Sequence, residues 1–90
     1  MPVAQTSMEA FYKVRNLTAK QWEVYRVIKE LQPVSDSQIA QALTLRLGKQ
    51  ISAAQVSPRR GELYRDNLIR KSGERLNDNN RHEDTWSVTE

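Results

Sequence analysis

Four side chains with polar or charged heads, Gln55, Ser57, Arg59 and Arg60, crowd within six residues around Pro58. Arg65 follows, and Arg70, Lys71, Arg75 and Arg81 come over the next sixteen residues. Guanidinium and carboxamide groups are planar hydrogen-bonders with several atoms to offer, and a hydroxyl at a helix start suits a phosphate oxygen. This set can hold a polyanion and meet the edges of bases; it has no means of breaking bonds. The single histidine, His82, has no partnered nucleophile, and no carboxylate cluster suggests Mg²⁺. Neither an enzyme, a cofactor nor a small-molecule substrate is expected.

Charge is distributed in the same sense. The net charge is +3, but Lys49 to His82 holds eight Lys/Arg against four acids, and the remainder is −1. A polyanion would find that excess in the C-terminal half, although a solvated basic face gives the same count. Ninety residues with 38% apolar side chains make one small domain with a core and no deep substrate cavity. No cysteine is present, which excludes disulfides and thiolate metal sites and fits a reducing compartment. No apolar run approaches the roughly 18 residues of a membrane span, so a cytoplasmic protein is expected.

The elements that must position these groups are marked by capping boxes. Thr6 to Glu9 opens a short N-terminal helix with Met8, Phe11 and Tyr12 on one face, ending near Asn16. Thr18 to Gln21 opens a stronger helix to about Gln32, with Val24, Ile28 and Leu31 recurring at helical spacing before Pro33. After a connector at Pro33-Val34, Ser35 to Gln38 opens a third helix. Ile39, Leu43 and Leu47 line its inner face, and Gly48 ends it. The next start is contested between Ser52, with Gln55 completing a box, and Ser57 followed by Pro58; a start between 53 and 57 puts Pro58 in the opening turn. Asp66-Asn67 ends that helix. Leu68 to Ser72 and Thr85 to Val88 then read as two strands around a long polar tip.

Three helices followed by a β-hairpin resemble the winged helix-turn-helix fold over roughly 17 to 88. Within it, Val56-Ser57-Pro58-Arg59-Arg60-Gly61-Glu62-Leu63, then Asn67-Leu68-Ile69, Ser72-Gly73 and Trp86, look like small phage and bacterial regulators. The implied fold is α+β, mainly α: a winged helix with a three-helix helix-turn-helix core, a C-terminal hairpin wing and a short extra N-terminal helix. An arm at 1–16 precedes the domain at 17–90. The family pattern has glycine where Asn67 stands, and asparagine also tolerates positive φ.

The resemblance implies a duplex-DNA-binding transcriptional regulator or phage accessory factor. A recognition helix at about 53–67 would enter the major groove and a wing at 68–88 would lie on the adjacent backbone or minor groove. Gln55, Arg59 and Arg60 would face bases, and Ser57 a phosphate. Arg65, Arg70, Lys71, Arg75 and Arg81 complete the set of DNA-binding residues. Glu83-Asp84 beside the tip would repel phosphate unless turned away. Spacing also puts Arg60 on the core side, three and four residues from Leu63 and Val56, with its head free to pair with Glu62 or Asp66. Gln55 could simply close the Ser52 box. Trp22 and Trp86 read as core. A homodimer through 8–15 is expected, and the rival reading is a protein-interaction module docking on a polymerase, replication or host protein.

Overall fold

The structure, a computed structural model, describes residues 16–89, so the helix and dimer contact expected before Asn16 lie outside the described residues. Helix α1, Ala19–Leu31, starts where Thr18 accepts from the Gln21 backbone and Gln21 returns a side-chain oxygen to the Thr18 N–H. Ser35 and Gln38 open α2, Asp36–Leu47, in the same way, and Ser52 and Gln55 open α3, Ala53–Arg65. Each box satisfies two backbone groups that a helix start leaves bare.

Pro58 is therefore the sixth residue of α3, in its second turn rather than its opening turn. The reciprocal Ser52–Gln55 box outweighs the one backbone hydrogen bond that proline removes. Ser57 meanwhile donates its hydroxyl to the Ala53 carbonyl at 3.0 Å.

Gly48 closes α2 with φ 66°, and Asn67 follows α3 with φ 60°. At the second stop the Leu68 N–H returns to the Leu63 carbonyl at 3.0 Å, the six-residue closure that a left-handed residue permits. Between α2 and α3, the Thr44 hydroxyl bonds the Ala40 carbonyl and accepts from the Ile51 N–H, which pins the turn.

The connector after α1 holds a strand that the sequence did not suggest: β1, Val34–Ser35, pairs antiparallel with β3, His82–Val88. On its other side β3 pairs with β2, Ile69–Leu76, giving the order β1-β3-β2. Both wing strands run further than the apolar alternation indicated. They pass a bulge between Lys71 and Gly73 and shorten the tip to 77–81.

Ile28, Ile39, Val56, Leu63, Leu68 and Ile69 fill the space between the three helices and the sheet. Trp86 is buried as expected, but Trp22 is not: it lies 40% exposed, stacked on Tyr25 with ring centroids 5.8 Å apart. Leu47 likewise stays largely exposed, because α2 turns its last residue away from the core. Among the described residues no helix is long and apolar enough to cross a membrane.

Candidate nucleic-acid interface

The first residue of α2, Asp36, holds the helix pair together. Its carboxylate accepts from Arg60 Nε at 3.0 Å and Arg60 Nη2 at 3.0 Å, a two-pronged pairing, and also from the Ser57 hydroxyl at 2.7 Å. An acid in the first turn also meets the positive end of the α2 dipole. The Arg60 guanidinium lies over the Trp86 ring at 4.4 Å, and Tyr64 meets the same ring edge-on at 5.3 Å. One arginine thus joins α2, α3 and β3.

A second polar knot holds the wing. Glu83 Oε1 accepts from Ser37 Oγ at 2.6 Å, Arg75 Nη1 at 2.7 Å and Ser35 Oγ at 2.8 Å. Burial pushes the Glu83 carboxyl up. Both serine hydroxyls and the Arg75 guanidinium outweigh that and hold it below the usual glutamate range. Further along, Lys71 bridges Asp84 at 3.2 Å and Glu74 at 3.4 Å. Asp84 first, and then Glu74, hold the Lys71 ammonium above the usual lysine range.

A lowered folded-state pKa means that Glu83 stabilises the protein fully above the ordinary glutamate value of 4.5 and ceases to do so as pH falls through its lower folded value. Glu83→Gln is therefore expected to cost about 1 kcal/mol at pH 7, with the gap to wild type closing below pH 4.5. Urea midpoints across pH 3 to 7 check this; a gap that is constant with pH would contradict it.

Between α2 and the wing tip runs a cleft of about 420 Å³, which also touches the first residue of α3. Ser37, Gln41 and Gln50 line it from the helical side, and Arg75, Asn77 and Asn79 from the wing. The tip that forms its outer lip is tightly folded. Asn77 Oδ1 accepts the Asn79 N–H at 2.9 Å and the Arg81 N–H at 3.1 Å, while Asn80 takes φ 57°.

No protein-family model matches the chain, and no curated protein matches it. Solved structures do, RosR and Fur among them. RosR of H. salinarum superposes with a TM-score of 0.66 at 21% identity, over 84% of this chain and 64% of that one. The ferric uptake regulator Fur of Vibrio cholerae, in a structure described for a rearrangement of its DNA-binding domains, superposes at 0.62 and 14% identity. That match covers 90% of this chain and 60% of Fur. The fold is a winged helix. The chain spans about three fifths of the length of these two proteins.

Within this winged helix the arginines and their neighbours divide into two groups. Arg60 and Ser57 are tied to Asp36, a partner absent from the pairings the sequence suggested for Arg60. Gln55 closes the Ser52 box through its side-chain oxygen, and only its amide nitrogen is left over. Arg59 pairs with Glu62 at 3.2 Å, and Glu62 also takes Gln21 of α1 at 3.0 Å. Arg75 and Lys71 are matched by wing acids; Glu83 is turned inward and so does not face outward as a repelling charge.

Arg65, Arg70 and Arg81 are exposed and make no ion pair among the described residues. Arg81 is at the tip, whereas Arg70 lies at the base of the wing beside Pro33 and Ser87. Asp36, Gln41 and Gln50 are site residues that the sequence did not flag. A first-turn acid and two exposed amides carry no spacing signal, and only the fold brings them beside α3 and the tip.

Proposed function

We propose that the chain binds duplex DNA as a small winged-helix regulator or phage accessory factor. Helix α3 faces the major groove and the wing follows the adjacent backbone or minor groove. The observation that carries this is the convergence of α2, the start of α3 and the wing tip on one polar cleft. The likeness to Fur, a regulator with DNA-binding domains, supports it. Of the seven candidate cations, Arg59, Arg60, Lys71 and Arg75 are already paired, which leaves Arg65, Arg70 and Arg81 for phosphate. Affinity from one domain is then modest, and two copies on neighbouring half-sites would raise it.

Fluorescence anisotropy of a labelled duplex tests the reading. Binding at low salt should weaken as salt rises, and Arg81→Ala should reduce the logarithmic salt slope by about one. Absence of duplex binding at low salt would sink it. A second reading, docking on a polymerase, replication or host protein, is favoured by Leu45, 83% exposed beside the exposed Leu47 at the end of α2. Recovery of such a partner that survives nuclease treatment separates the two.

A further inference from the structure

The side of α3 turned away from the core is poor in functional groups. Ala54, Pro58, Gly61 and Arg65 follow one another at helical spacing along it, and a Cβ placed on Gly61 would meet nothing within 4 Å. The flanking polar residues are engaged: Ser57 and Arg60 on Asp36, Arg59 on Glu62, and the Gln55 oxygen on the Ser52 N–H. Before Arg65, then, the outward side of α3 offers little for reading a base; the two nitrogens that Arg59 leaves unpaired, Nη1 and Nη2, belong to a side chain that lines a groove shared with Lys20 and Glu23 of α1.

The cleft and its outer lip are different. Gln41 and Gln50 on one wall, and Asn79 and Asn80 on the tip, have side chains with no hydrogen bond among the described residues. Arg81 beside them has no ion pair among the described residues, and on the wing side of the cleft Arg75 uses only Nη1, which leaves Nε and Nη2 to donate. Asp78 on the same lip offsets one of these cations, so selectivity rests on directed donors more than on charge. The backbone bonds from Asn79 and Arg81 to Asn77 hold those donors in place before any ligand arrives.

Resting on the duplex-DNA reading above, we infer that base selection is made by the wing tip and not by α3, and that it selects A·T pairs in the minor groove. One sugar–phosphate strand seats in the cleft, with Gln41 and Gln50 on its helical side. The cleft is open along its length, with Gln41 and Gln50 on one side and Arg75, Asn77 and Asn79 on the other. On the far side of that strand, Asn79, Asn80 and Arg81 enter the minor groove. There A·T pairs present only the acceptors adenine N3 and thymine O2, which match carboxamide and guanidinium N–H groups; guanine adds an amine that opposes them. Narrow A·T tracts also concentrate negative potential, which draws an arginine.

The experiment uses the full chain and three labelled duplexes of equal length at one salt concentration: A·T-rich, G·C-rich, and the latter with inosine replacing guanine. Inosine removes only the minor-groove amine. A·T and inosine duplexes should bind about tenfold tighter than G·C. Asn79→Ala with Arg81→Ala should abolish that preference while circular dichroism stays native, and Gln41→Ala should weaken all three alike. Equal binding of all three, or inosine behaving as guanine, would overturn the inference and leave duplex binding standing. Failure to bind any of them would overturn both.

Discussion

Asp36→Ala is expected to destabilise the domain by about 2–3 kcal/mol. The carboxylate is the acceptor for both prongs of Arg60 and for Ser57, and its loss leaves the guanidinium without an acid partner at a site only 17–22% exposed, while the Ser57 hydroxyl keeps the Ala53 carbonyl. That residual exposure keeps the cost below the 3–5 kcal/mol typical of breaking a fully buried pair. Arg60→Ala should cost a similar amount by a different route, because it also removes the cation from the Trp86 face and the arginine stem from the core edge. The double variant decides between cooperation and coincidence. If Asp36 and Arg60 act as one unit, the two losses sum to clearly more than the loss in the double variant, with a coupling of about 1 kcal/mol or greater. Urea denaturation measures all three, and simple additivity would show that the pair is ornamental.

Leu63→Ala should have a larger effect, about 3–5 kcal/mol. Leu63 is fully buried where α3 meets the rest of the core, and its carbonyl receives the Leu68 N–H that closes the helix. Alanine leaves a cavity that helices on one side and a sheet on the other cannot collapse into. For a chain whose whole stability is roughly 5–13 kcal/mol, this approaches the limit of folding. Thermal melts should show a fall of roughly 12–40 °C. A loss below about 1 kcal/mol would mean that the core is more plastic than close packing allows.

The helices were legible because each begins with a reciprocal cap, from Thr18, Ser35 and Ser52, and such pairs are local enough to survive without tertiary context. Asn67 was legible for the same reason, since a residue in the left-handed region must be one that tolerates it. The sheet was harder to see. Val34-Ser35 is too short to show alternation, and from Arg70 to Arg75 the only uncharged residues are Ser72 and Gly73. That face of the wing is wet, so apolar periodicity fades before the strand ends. The site was the least legible part. Asp36 and Arg60 are 24 residues apart and Ser35 and Glu83 are 48 apart, so no window of sequence contains either pair. Paired arginines in a helix suggested two reading heads; the folded chain uses one as a tie between elements.

The strand order leaves β2 as an outer strand, eight residues long, with one row of backbone groups unpaired among the described residues. Such a row is a template on which a second chain can grow a sheet. Here the template is spoiled twice: the bulge at Lys71/Gly73 breaks its flatness, and Arg70, Lys71, Glu74 and Arg75 stud it with charge. Charges that serve the wing's ion pairs thereby also oppose the addition of a second chain at this edge.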